Sequence, residues 1–144
     1  MKSNTSALAK PSAPKMAIIN IRNLRLRTFI GFNPEETEKQ QDVVINIEIN
    51  YRISGYVLED HVDEALNYKT IAKKVIRHVE EGRFLLLEKL VADVLEICCE
   101  SPQVFHARVT IDKPHALRFA DSVSLTLEHH CEPTRQKRHL EKVS

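Results

Sequence analysis

Only three glycines occur in 144 residues, which excludes a collagen-like repeat or a Gly-rich low-complexity chain. Cysteine is scarce as well. Cys98 and Cys99 are adjacent and Cys131 lies near a polar tail, so neither a disulfide framework nor a CxxC metal or redox pair is suggested, and the chain reads as cytoplasmic. The longest apolar runs fall far short of a membrane span, and the start, MKSNTSALAKPSAPK, lacks the continuous apolar segment of a secretory signal. No P-loop or dinucleotide fingerprint occurs. The histidines form neither HxxxH nor HxH, so no zinc pattern is present and no metal or cofactor is expected. His129, His130 and Cys131 are neighbours at the junction with the charged tail, where adjacency without a metal role is the simpler reading.

What remains is an ordinary globular composition, 42% hydrophobic and 28% charged, in a length suited to one domain with a core. The expected division is a flexible extension over 1–15, a domain over 16–128 and a polar, flexible tail over 129–144. Charge follows that division. Residues 16–128 hold 14 basic and 18 acidic residues, and the net +1 is made by the tails. A domain near −4 argues against nucleic-acid binding, while leaving room for a small basic pocket that takes a phosphorylated metabolite. The basic tails read as solvated ends rather than binding arms.

Apolar spacing gives the elements. From Ile18 to Ile30 the pattern is strand-like, but Ile19 and Ile21 share one parity and Leu24, Leu26 and Ile30 the other, which predicts a bulge near Asn23. Residues 31–41, GFNPEETEKQQ, read as a polar turn. Val43, Ile45, Ile47, Ile49 and Tyr51 then alternate as a second strand. After an acidic connection over 54–64, Tyr68, Ile71, Ala72, Val75, Ile76 and Val79 recur at helical spacing. A second helix carries Leu87, Leu90, Val91, Val94, Leu95 and Cys98, and Pro102 follows it. Two strands, VFHARVTI and VSLTL, close the domain. The class is α+β, in the order strand, strand, helix, helix, strand, strand, with both helices covering one face of an antiparallel sheet. Two sheet edges and one sheet face stay open, so closure into a barrel between subunits is expected.

Several polar residues admit two readings. Glu88 is either a helix-start acid favoured by the exposed amides or a carboxylate that receives two hydrogen bonds from a flat, amidine-like ring edge. Tyr68 falls on the apolar period of its helix, where core packing is the ordinary role. Lys113 ends a strand, where its ammonium either joins a site or leaves for solvent. Glu36 has a solvent-facing explanation in NPEETEK. The linker IDKPHALRFADS is longer and more charged than a hairpin turn requires, and it carries His115, Arg118 and Asp121.

Taken together, RTFIGFNPEE (27–36), ALNYKT (65–70), RFLLLEKLVADVL (83–95) and IDKPHALRFADSVSLTL (111–127) resemble the dihydroneopterin aldolase and epimerase family, over about residues 17–128. The resemblance implies a tunnelling fold in which four subunits close a barrel and two such rings stack as an octamer, with active sites between subunits. It implies a pterin substrate, with Glu88 and Leu87 binding the ring and Lys113, Tyr68 and Glu36 catalytic; Arg118 and His115 are candidates for the phosphates, since an arginine donates in parallel to phosphate oxygens. Arg25 and Arg27 are weaker phosphate candidates, equally plausible as outward-facing strand residues. The linker favours the epimerase version of the family: C2' inversion of 7,8-dihydroneopterin triphosphate to 7,8-dihydromonapterin triphosphate through retro-aldol cleavage and re-addition. The alternatives are an aldolase releasing 6-hydroxymethyl-7,8-dihydropterin and glycolaldehyde, or a noncatalytic pterin-binding protein. Aldolases often place histidine before the first-loop glycine, whereas Ile30 precedes Gly31 here.

Overall fold

The computed structural model describes residues 15–131. Most of the expected N-terminal extension and C-terminal tail lies outside these residues. β1 (Lys15–Ile30) is followed by a short helix α1 (Pro34–Glu38), β2 (Gln41–Ile53), one turn of helix α2 (Gly55–Leu58) and a 3₁₀ turn (Val62–Glu64). Then come α3 (Tyr68–Glu81), a two-residue strand β3 (Arg83–Phe84), α4 (Leu87–Cys98), β4 (Val104–Lys113) and β5 (Val123–His130). The sheet order is β3-β1-β2-β4-β5. All pairings are antiparallel except β1 with β3, so the sheet is mixed rather than purely antiparallel. The expected order of four long strands and two main helices is present.

The change of parity in β1 is a bulge between Ile21 and Leu24. Asn23 takes a positive φ of 55°, a conformation asparagine tolerates better than most residues. Its N–H is satisfied across the ladder by the Asn46 side chain at 2.9 Å. Beyond the bulge, Leu26, Thr28 and Ile30 point inward, in step with Val43, Ile45, Ile47 and Ile49 of β2. Ala107, Val109 and Ile111 of β4 continue this face.

The two long helices cover it. α3 starts at Asn67, whose side chain accepts the Thr70 N–H at 3.2 Å, and buries Ile71, Val75 and Val79. α4 buries Leu90, Val91, Val94, Leu95 and Cys98. α3 lies over β1, and α4 over β4 and β5. The opposite sheet face carries Asn46, Glu48 and Asn50 beside Arg108 and Thr110, and it stays uncovered. β1 is paired on its outer side only at Phe29 and Ile30, and β5 has no strand beyond it among the described residues.

Four readings need correction. NPEETE is a helix, not a plain turn: Asn33 stands at its N-cap, Pro34 opens it and Glu35 and Glu36 occupy its first turn, each favoured there by the free amides. Lys15 already pairs with Ile53, and β5 carries on through His129 and His130 opposite Ala107 and His106, so the strands enter both segments assigned to the ends. A disulfide joins Cys99 to Cys131, where the cysteines had suggested no such bond. The fold makes it: Cys99 caps α4, and Cys131, hydrogen-bonded to the Phe105 carbonyl at 2.9 Å, follows β5. Tyr68 is about half exposed, so core packing is not its role. No helix among the described residues is long and apolar enough to cross a membrane.

Candidate active site

A short connection turns α4 back into β4, so the two run in opposite directions across the sheet. The first turn of α4 therefore lies at the sheet end where β4 delivers Lys113. β1 finishes at the same end. The Gly31 N–H donates to the Phe84 carbonyl at 2.9 Å, and Arg83 reaches the Thr37 carbonyl at 3.2 Å. These bonds fasten the 31–38 segment to the lead-in of α4.

Within that frame Lys113 donates to Glu36 Oε2 at 2.8 Å. The side chains keep only 12% and 18% of their exposure, which makes this the most enclosed of the Lys or Arg ion pairs among the described residues. The other carboxylate oxygen, Oε1, accepts from the Asn33 backbone at 3.3 Å and the Asn33 side chain at 3.2 Å. Both oxygens are held. The Lys113 hydrogen bond draws the Glu36 carboxyl below its ordinary 4.5, against the upward push of burial and with smaller help from Asn33 and Gln41. Gln41 also donates to the Ile30 carbonyl, locking β2 to the mouth of the loop. Gly31 has φ +128°, outside the range of ordinary side chains, and a Cβ there would collide with the Glu36 carboxylate. Glycine is thus required by both backbone and neighbour.

Leu87 and Glu88 open α4 at this end. Leu87 packs partly against the core. Glu88 is exposed and makes no hydrogen bond or ion pair among the described residues, so its carboxylate is open to a ligand while also favoured by the helix start. Tyr68 is elsewhere. It begins α3, whose last turn meets the first turns of α4 through His78 and Asp93, 2.7 Å apart, and whose N-terminal half approaches the far end of α4 through Lys74 and Glu100, 3.0 Å apart. Fourteen residues of helix place Tyr68 about 20 Å from the Gly82 end. One chain therefore joins Glu36 to Lys113, sets Leu87 and Glu88 nearby, and leaves Tyr68 at its opposite end.

The linker after β4 is exposed at Arg118, whose guanidinium lies 5.2 Å from the centre of the Phe119 ring. His115 instead borders a cavity of about 700 Å³ with Arg25, Arg27, Asp42, Glu80 and Pro114 among its walls. His129 and His130, side by side in sequence, point to opposite faces of β5, and Cys131 is bonded to Cys99. The three form no metal-holding cluster among the described residues.

Sequence reasoning missed Asn33 and Gln41. Asn33 followed by Pro34 and by Glu36 three residues on is a helix-start signature and was readable. Gln41 carried no local signal.

A family model described as dihydroneopterin aldolase matches residues 19–128. The chain is 52% identical over 117 residues to the dihydroneopterin triphosphate 2'-epimerase of Pseudomonas aeruginosa, covering 81% of this chain and 95% of that one. It is 54% identical over 115 residues to the enzyme of the same name from Escherichia coli K12, covering 80% and 96%. Among solved structures, E. coli dihydroneopterin aldolase in complex with neopterin superposes with a TM-score of 0.73 at 30% identity, covering 78% of this chain and 98% of that one. The match spans both long helices and all four long strands, including Glu36, Glu88 and Lys113, and with it the α+β half-barrel is the tunnelling fold. The chain belongs to the dihydroneopterin aldolase and epimerase family.

Proposed function

We propose that this chain inverts C2' of 7,8-dihydroneopterin triphosphate to give 7,8-dihydromonapterin triphosphate. The observation that carries the reading is the enclosed Glu36–Lys113 pair at the sheet end, beside an unpartnered Glu88. Identity of 52% and 54% to two epimerases, against 30% to the structurally similar aldolase, supports epimerisation as the main reaction.

Glu88 accepts two hydrogen bonds from the amino edge of the pterin, and Leu87 lines the ring's pocket. Lys113, held by Glu36, organises removal of the 2'-hydroxyl proton, directly or through a water. As that proton is relayed to N5, the oxygen forms the aldehyde carbonyl, the C1'–C2' bond breaks, and its electron pair becomes the C6=C1' double bond while the imine pair takes the proton at N5. The resulting enamine re-adds to the turned aldehyde, and the proton returns to the new alkoxide. No net oxidation occurs. Holding both fragments in place is what separates inversion from release.

Tyr68 is the second proton donor or acceptor, contributed by a neighbouring subunit, since it lies at the far end of its own chain. Arg118 and His115 bind the triphosphate. The open edges of β1 and β5 pair between copies, closing a tetrameric barrel, and two rings stack as an octamer. Release of glycolaldehyde and 6-hydroxymethyl-7,8-dihydropterin, the aldolase outcome, breaks the same bond and accompanies epimerisation as a minor reaction.

The test is a product assay on dihydroneopterin and its triphosphate that resolves monapterin from the 6-hydroxymethyl product. Epimerisation of the triphosphate is expected to dominate. Faster cleavage of the unphosphorylated compound, without preference for the triphosphate, would move the assignment to aldolase.

A further inference from the structure

Arg25 and Arg27 are two residues apart on one face of β1, roughly 7 Å along the strand. They line the cavity that His115 borders. We propose that this cavity is the polyphosphate subsite, with Arg25 as its principal cation and Arg27 and His115 beside it. The proposal rests on the epimerase reading and adds to it a binding residue outside the charged linker.

Position is the first argument. The substrate's phosphates hang from the carbon next to C2', so they must lie close to the group that works on the 2'-hydroxyl. The cavity meets that condition from two directions in the chain. His115 is two residues beyond Lys113, and Gln40 and Asp42 in its wall flank Gln41 in sequence, which supports Glu36 from the other face of β2, so the phosphates would pass round this end of the sheet to reach Arg25. Arg118, over Phe119 on the exposed linker, is left to meet the outer end of the same phosphate chain.

Charge and order are the second. Arg27 is fixed by Asp42 at 2.6 Å and by the Gln40 carbonyl at 3.0 Å. That leaves Asp42 neutralised and Arg27 preorganised, with donors remaining on its fork. The Arg25 side chain makes no hydrogen bond or ion pair among the described residues, so its guanidinium is available for two parallel bonds to phosphate oxygens. Glu80 is the one opposing carboxylate in the wall without a partner of its own. It should weaken anion binding, which gives the proposal a second and opposite sign to test.

Calorimetric titration of the native assembly with inorganic tripolyphosphate reads the site without any pterin chemistry. Arg25→Gln should lower the affinity by about tenfold or more, the loss expected for a charge-assisted bond, and Glu80→Gln should raise it. In turnover, Arg25→Gln should lower the ratio of kcat/KM for dihydroneopterin triphosphate over dihydroneopterin by a similar factor. Absence of tripolyphosphate binding to the wild type, equal affinity in wild type and Arg25→Gln, or an unchanged substrate ratio would each overturn the subsite. Arg25-dependent tripolyphosphate binding in a protein that turns over neither pterin would uphold the subsite and reject the epimerase reading instead.

Discussion

At the residue scale the site depends on an ion pair that is mostly withdrawn from water. Such a pair costs desolvation and gains little net stability, yet it fixes its members in place, and here it holds an ammonium at the end of β4. Because the Glu36 carboxyl is depressed in the folded chain, its contribution to stability is present above the ordinary carboxylate value. It is lost as pH falls through the lower folded value. Carboxyl-resolved NMR titration should therefore place Glu36 below 4.5, and Lys113→Ala should move it upward, since the largest lowering influence is then gone while burial remains. The same variant should lower both cleavage and epimerisation by about 10²–10⁴-fold, the range of a positioned proton-transfer group, while a pterin analogue still binds through Glu88. A Glu36 titration that ignores Lys113→Ala, or near-normal rates, would remove the pair from the mechanism.

Elements differ in how much of them local sequence encodes. The bulge at Asn23 was legible because a bulge shifts the side-chain parity that an alternating strand displays. The helices over 68–81 and 87–98 were legible from their apolar period. β3 was not, since two residues hold no pattern and their parallel pairing exists only once β1 is in place. Tyr68 misled because the first turn of a helix continues the apolar period beyond the part that the sheet covers. The Cys99–Cys131 bond was hidden by a sequence separation of 32 and appears only when β5 folds back along β4. By loop-closure entropy such a link stabilises by roughly 3–4 kcal/mol. Treatment with a dithiol reductant, or Cys131→Ser, should lower Tm by about 10 °C or more for a domain of this size. Equal melting curves for oxidised, reduced and substituted protein would show that the link adds no stability. Cys98 should resist a thiol-alkylating reagent in the native protein, because burial and, less strongly, Glu100 push its thiol up to about 12.

For the whole molecule the main consequence is the separation of Tyr68 from Lys113. Glu36 and Lys113 are 77 residues apart in sequence and touch in one chain, a juxtaposition that no spacing reveals; the family resemblance named both residues without placing them in contact. Tyr68 joins no such cluster at its own end of α3. In a ring closed edge to edge, each copy presents one flank to one neighbour and its other flank to the next, so a site formed between copies can draw Tyr68 from a neighbour. Two inactive variants should then repair each other. Lys113→Ala retains a working tyrosine end, and Tyr68→Phe retains a working lysine end, so a randomly mixed ring restores about a quarter of its sites. The mixture is made by co-expression or by dissociation and reassembly, and light scattering confirms that native mass is regained. Epimerase activity near one quarter of wild type, with neither variant active alone, is the expected outcome. Mixed rings of native mass that stay as inactive as their parents would place the whole catalytic set within one chain, and Tyr68 would then have to be withdrawn from it.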